Sequence, residues 1–152
     1  SWIGDGNNVC NSWIEVCKHF NFNLTVCTPS EFKPNLKTLE KVKKLGKNVN
    51  YTHNPKKAAL NANVIITDTW LSMGDKETSS RKDIFKSFQV NSSLMKLTNS
   101  NSFFMHCMPA HRGQEVTDEV IDGKKSLVFE EAHNRLHIQK AILLWCLNKE
   151  FN

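Results

Sequence analysis

The chain has 152 residues, of which 39% are hydrophobic and 23% charged. That suffices for one domain with a real core, is too little for two, and is too apolar for intrinsic disorder. Its 20 Lys and Arg against 15 Asp and Glu leave a net charge of +5 that is spread along the sequence, and no stretch approaches the roughly 18 to 20 apolar residues needed to span a bilayer.

Ser1-Trp2-Ile3 reads as the end of a strand, and Gly4 begins the turn after it. Against a typical strand of about five or six residues this one looks cut, as in a fragment of a longer protein. Val9, Cys10, Trp13, Cys17 and Phe20 then recur at steps of three and four, which predicts an amphipathic helix. Asn23 to Cys27 reads as a strand closed by Thr28-Pro29. Asn35 to Leu45 reads as a second helix, stopped by Gly46 just past its end. The lysines from Lys37 to Lys47 belong to that helix. Interrupted by Glu40 and apolar positions, they form a solvated face and not a nucleic-acid patch. Val49 to Thr52 is a weak strand, Pro55 to Leu60 a short helix opened by its proline, and Ala62 to Thr67 a strand apolar enough for a buried parallel position.

Asp68 to Arg81 reads as a loop carrying apolar side chains, the usual composition of a binding loop or lid. Lys82 to Leu97 is helical in two pieces that break around Asn91-Ser92. Phe103 to His106 is a strand, Thr117 to Ile121 a short helix and Ser126 to Phe129 a short strand. His133 to Asn148 closes the chain as a helix with Leu136, Ala141, Ile142 and Trp145 as its expected buried stripe. Strands alternating with helices predict an α/β, three-layer Rossmann-like domain over residues 1–152, with a mostly parallel sheet flanked by helices. In such folds ligands bind at the carboxyl ends of the strands. Three polar motifs fall there: Gly4 to Asn8, Thr67 to Gly74 and His106 to Pro109.

Gly4-Asp5-Gly6-Asn7-Asn8-Val9 starts like a dinucleotide fingerprint, but position 9 is valine. Cys27-Thr28-Pro29 also stands where a ribose-binding acid should end the next strand, so no nicotinamide cofactor is expected. Asn7 or Asn8 instead offers an amide at a strand end. Asp68 is either a turn cap or the counter-ion of a substrate ammonium, with the Ser72 hydroxyl as second acceptor, and Met73 is either core filler or part of a closing loop. Cys107 is either buried and inert or a thiolate of lowered pKa, and adjacent positions on a strand argue against a direct pair with His106. Met108-Pro109 is a bond of the kind that adopts cis. His133 and His137 are one helical turn apart, a spacing that binds metal, but no third ligand is evident and no metal is expected. Arg135 offers a planar fork for phosphate, or a salt bridge with Glu130 or Glu131. The five cysteines are scattered without a C-x-x-C pair, which argues for free thiols in a reducing compartment.

Taken together, Trp-Ile-Gly-Asp-Gly-Asn-Asn (2–8), Thr-Asp-Thr-Trp-Leu-Ser-Met-Gly (67–74), His-Cys-Met-Pro (106–109) and Glu-Ala-His-Asn-Arg (131–135) resemble ornithine carbamoyltransferases, in the family's order and near its spacing. The stretch from Pro109 to Leu136 is similar as well. The resemblance implies transfer of a carbamoyl group from carbamoyl phosphate to the δ-amine of L-ornithine, giving citrulline and phosphate without a cofactor. It implies that Asn8, Asp68, Ser72 and Met73 hold ornithine, that Cys107 and Asp68 are catalytic, and that Cys107, Met108 and Arg135 meet carbamoyl phosphate. Met108 replaces the family's usual leucine. The Ser-x-Arg-Thr and His-Pro-x-Gln motifs of an N-terminal carbamoyl-phosphate domain are absent, so this chain resembles the ornithine half only and is expected to be inactive alone. The resemblance further implies a homotrimeric full-length enzyme, cytoplasmic or, in an animal, in the mitochondrial matrix, with no nucleic-acid or membrane partner. A related aspartate enzyme would carry His-Pro-Leu-Pro in place of the cysteine motif, a putrescine enzyme an altered Ser-Met-Gly loop, and a non-catalytic amino-acid-binding module remains the reading of a different class.

Overall fold

The computed structural model describes residues 1–71 and 79–148. Five strands, β1 (Trp2–Ile3), β2 (Leu24–Cys27), β3 (Val49–Thr52), β4 (Val64–Thr67) and β5 (Phe103–His106), form one sheet in the order β3-β2-β1-β4-β5. Every pairing is parallel, with Ile3 beside Cys27, Trp2 beside Ile66 and Thr67 beside His106. The strand order reverses direction at β1, so the crevice between the ends of β1 and β4 is a topological switch point.

Asparagines start the helices. Asn7, Asn35, Asn54 and Asn91 precede α1 (Asn8–Val16), α2 (Leu36–Lys44), α3 (Pro55–Ala59) and α5 (Ser92–Met95), and each side chain accepts a first-turn backbone N–H. These caps satisfy donors that a helix start leaves orphaned. Gly46, at φ 75°, ends α2 in the left-handed conformation that asparagine or glycine tolerates best. Between α3 and α5 lies α4 (Ser79–Phe85), followed by a 3-10 turn at Lys86–Phe88. Val90 then pairs with Val116 in a bridge, so the expected two-piece helix is in fact three segments.

Alternation along the strands sorts side chains into two cores. Trp2, Val26 and Ile66 pack with Cys10 and Ile14 of α1, with Cys17 just past its end, and with Leu39 and Val42 of α2. Ile3, Cys27, Ile65 and Phe104 face the other way, against α3, the α4–α5 region and α6 (Asp118–Ile121). Phe85 centres this second core. Its ring lies 4.8 Å from Phe32 and 5.6 Å from Trp70, a cluster that adds geometric preference to area burial.

Three expectations need correction. Phe20 is exposed, because α1 ends at Val16 and the chain turns away before that position. Of the expected strand Ser126 to Phe129, only a bridge from Ser126 to Phe104 forms. The last helix, α7 (Val128–Asn148), begins there and takes Val128 and Phe129 into its first turn. The stripe of Leu136, Ala141, Ile142 and Trp145 is exposed, with Trp145 at 62%. Only the start of α7 is seated, through buried Val128, and no described element covers its later turns. Among the described residues no helix is long and apolar enough to cross a membrane.

Gly6 fixes how the β1 turn packs. Its N–H donates to Phe32 O at 3.0 Å, and a Cβ built on it would lie 2.3 Å from Lys33 C and Pro34 N. The space that a pyrophosphate would need beside a fingerprint glycine is thus filled by the chain's own backbone. Gly6→Ala is expected to lower stability by about 1–3 kcal/mol, the usual cost of overpacking, because backbone cannot swing aside as a side chain does. Urea unfolding of the two proteins checks this; an unchanged midpoint would mean that residues 32–34 yield freely.

Candidate functional site

Three strand ends meet at one carboxylate. Asp68 follows β4 and is 8% exposed. Its Oδ2 accepts from Asn7 Nδ2 at 2.8 Å, and its Oδ1 from Thr69 N at 2.8 Å and from Cys107 Sγ at 3.2 Å. The motifs after β1, β4 and β5 therefore converge as the sequence suggested. All the partners are neutral donors, and Asp68 forms no ion pair with any described residue. A buried anion so placed attracts a cation strongly, since donors satisfy its lone pairs but leave its charge uncompensated.

The link to β1 runs through Asn7. Its Oδ1 caps α1 at Cys10 N while its Nδ2 reaches Asp68, so one amide both starts the helix and braces the carboxylate. Asn8 is the first helical residue and is exposed beside this pair.

Cys107 keeps its proton. Burial first, then the carboxylates of Asp68 and Glu131, push the thiol up to about 12. Of the two readings open from the sequence, the thiolate of lowered pKa is not the state found; the thiol instead donates to Asp68. Met108, at φ 54°, precedes a cis bond to Pro109. Its N–H donates to His106 Nδ1 at 3.0 Å, and the His106 ring is fully buried with Nε2 3.4 Å from Glu115 Oε1. Glu115 also accepts from His111 N. The His106 N–H itself donates to Glu131 Oε2 at 3.0 Å, and burial raises that carboxyl above its ordinary range. His106 thus holds the backbone behind Cys107 instead of pairing with the thiol.

Arg135 is exposed on α7, one turn beyond Glu131. It forms no hydrogen bond or ion pair with a described residue, although its charge opposes the rise at Glu131. Ser72 and Met73 lie outside the described residues. Asp68, His106 and Cys107 place one donor atom each within 4.8 Å of one another, the grouping best able to hold a metal among the described residues. Those atoms are already committed: the sulfur is protonated toward Asp68, and His106 Nδ1 takes the Met108 N–H.

Four residues of this frame escaped the sequence reading. Glu115 and Glu131 act from within the site's second layer. Asp5 and Arg81 form an ion pair, Nη2 to Oδ2 at 2.7 Å, with the guanidinium 4.4 Å above the Phe32 ring and its Nε bonded to Trp70 O. That pair ties the turn after β1 to the chain that re-enters at α4. A separation of 76 residues leaves no local pattern to find it by.

Asp68→Asn removes one acceptor and one negative charge from Cys107, so the thiol pKa should fall and alkylation at pH 8 should accelerate. Nucleophilicity falls about half as fast as basicity, so each unit of lowering gives about a threefold faster reaction. Mass-spectrometric timing of iodoacetamide labelling checks this, with exposed Cys146 as internal reference. An unchanged Cys107 rate would assign the raised pKa to burial alone.

Comparisons with known proteins bear on the family of the chain. The family described as aspartate/ornithine carbamoyltransferase, Asp/Orn-binding domain, matches residues 1–146. An ornithine carbamoyltransferase of Nitrobacter winogradskyi is 50% identical over 147 residues, covering 97% of this chain and 48% of that protein. One from Brucella abortus is 48% identical over 147 residues, covering 47% of its length. The chain spans about half the length of the curated relatives it matches. Among solved structures, the ornithine carbamoyltransferase of Pyrococcus furiosus matches with a TM-score of 0.87 at 42% identity, over 94% of this chain and 47% of that one. The anabolic enzyme of Campylobacter jejuni gives 0.89 at 33% identity, over 98% and 51%. Sequence and fold both place this chain in the aspartate/ornithine carbamoyltransferase family, as a member matching its amino-acid-binding domain.

Proposed function

We propose that this chain supplies the ornithine half of a carbamoyltransferase, which moves the carbamoyl group of carbamoyl phosphate to the δ-amine of L-ornithine and releases citrulline and phosphate. The observation that carries this reading is the buried Asp68 carboxylate, braced by Asn7 and Cys107 and lacking a cationic partner among the described residues. An amino acid's α-ammonium is the charge it suits. Asn8, exposed at the start of α1, is positioned for the α-carboxylate, where the helix N-terminus adds favourable potential. Ser72 and the Met73 backbone complete the grip on ornithine.

Catalysis then depends on delivering an uncharged δ-amine. The ammonium gives one proton to solvent, the neutral nitrogen attacks the carbamoyl carbon, and phosphate departs as the second amine proton passes to its oxygen. Cys107, protonated and hydrogen-bonded to Asp68, faces that amine and orients it. The Met108 carbonyl, next in sequence to Cys107 after β5, is the proposed acceptor for the carbamoyl amide. Arg135, whose guanidinium is not engaged by a described side chain, is the phosphate ligand.

The carbamoyl-phosphate domain, in this reading, is another part of the parent polypeptide. The half-length match to relatives supports this, and so does α7, whose residues from Leu136 to Leu147 expose apolar side chains to solvent. The full protein is proposed to be a homotrimer acting in the cytoplasm or matrix.

The test is citrulline formation by the parent polypeptide, with ornithine, putrescine and aspartate offered in parallel. Turnover with ornithine is expected. Asp68→Ala should cost at least about 100-fold in kcat/KM, roughly 2.7 kcal/mol, because it strands a substrate charge in a dry site. Cys107→Ala should lower kcat more than it raises KM. A preference for putrescine would overturn the assignment to the α-amino acid. Saturable ornithine binding without turnover, in a parent with no second domain, would leave a binding module.

A further inference from the structure

β5 is an edge strand, and the chain that returns beside it at residues 125–127 pairs with it for one step only. Phe104 N–H donates to Lys125 O at 2.8 Å, and Leu127 N–H donates to Phe104 O at 2.9 Å. In a parallel ladder the next donor along this edge is the His106 N–H, and its acceptor would be Leu127 O. That carbonyl is already taken. It accepts the Glu131 N–H at 2.8 Å, the bond that opens α7. The Glu131 side chain then accepts the His106 N–H at 3.0 Å. One residue removes the strand acceptor with its backbone and returns an acceptor with its carboxylate. His106 is fully buried, so a lost acceptor here would strand a buried donor.

We propose that Glu131 is a positioning residue, which takes the place of a further strand at β5 and thereby fixes Arg135 relative to Cys107. His106 leads directly into Cys107, so a hold on its N–H restrains the backbone that carries the thiol. Arg135 is four residues beyond Glu131 and next to it on the same face of α7. Fixing Glu131 against β5 sets the rotation of the helix, and with it the direction in which the guanidinium leaves. The side chain is half-buried; burial raises its carboxyl, while the His106 N–H and the Arg135 charge oppose that rise. The role of Arg135 toward phosphate rests on the carbamoyl-transfer reading above. The bond to His106 does not.

Two variants separate the acceptor from the charge. Glu131→Gln keeps an oxygen for the His106 N–H, whereas Glu131→Leu keeps the bulk and offers none. Amide hydrogen exchange of this chain, read by NMR, should quicken at His106 at least about tenfold in Glu131→Leu and less than about threefold in Glu131→Gln. Phe104, whose N–H is held by Lys125 O, should keep its protection in both, as it would not in an unfolded variant. In the parent polypeptide, Glu131→Leu should raise the KM for carbamoyl phosphate about tenfold at saturating ornithine and leave the ornithine KM within about twofold. Glu131→Gln should recover most of that loss.

Unchanged exchange at His106 in Glu131→Leu, or equal quickening in both variants, would overturn the carboxylate as a substitute for the strand. Equal rises in the two KM values would overturn the link to Arg135 and leave a general structural role. A wild-type parent that transfers no carbamoyl group would overturn the function proposed for the domain, and with it the role of Arg135, while exchange at His106 still decides the bond.

Discussion

The Asp68 carboxylate is the constraint around which the rest of this domain is arranged. A charge at 8% exposure persists only if its oxygens are met by donors, and here those donors come from three different strand ends. Parallel pairing makes this possible, because it delivers the carboxyl ends of β1, β4 and β5 to one edge of the sheet. Asn7 shows how economical the arrangement is. The amide that starts α1 is the one that holds Asp68, so the helix cannot be displaced from the strand end without loosening the carboxylate.

Behind Asp68 stands a second layer whose purpose is backbone position. Met108 sits in a left-handed conformation that a residue with a Cβ adopts reluctantly. It is held there from within the core, by a histidine whose other nitrogen faces a fully buried glutamate. Glu131 reaches back from α7 to the N–H of the same histidine. Cys107 is thus flanked by fixed neighbours, and burial, reinforced by the two carboxylates near it, keeps its sulfur protonated. A protonated thiol is suited to donating a hydrogen bond and not to nucleophilic attack.

Local physics made much of this legible. Val49–Thr52 and Phe103–His106 have the strand bounds that alternation and turn residues suggested. The convergence of three motifs followed from the rule for parallel sheets alone. What stayed hidden is what local pattern does not encode. Asn7 and Asn8 are adjacent and identical in type, and only the capping geometry separates the one that turns inward to Asp68 from the exposed one. Nothing in the sequence singles out Glu115, and its burial against His106 is a tertiary fact. The stretch after Ser126 is apolar enough for a strand, and it became helical because only one residue finds a ladder partner beside β5.

The misjudged stripe on α7 teaches something different. Periodicity shows that a helix face is apolar; it does not say which molecule or domain covers it. At 100° per residue, Leu136, Leu143 and Leu147 fall on one side of α7, Ile138, Ile142 and Trp145 on the other, and all are at least half exposed. A helix apolar on two sides is built to lie between layers, not to rest on a single surface. In a protein of twice this length, the turns beyond Glu131 would then lie inside an interface while the first turn stays fixed to the end of β5. Movement of whatever encloses α7 would reach the site through Glu131 and the His106 N–H, directly beside Cys107. The same helix that leaves this chain with exposed leucines is therefore the element best placed to pass a contact at its later turns on to the carboxylate and thiol at the sheet edge.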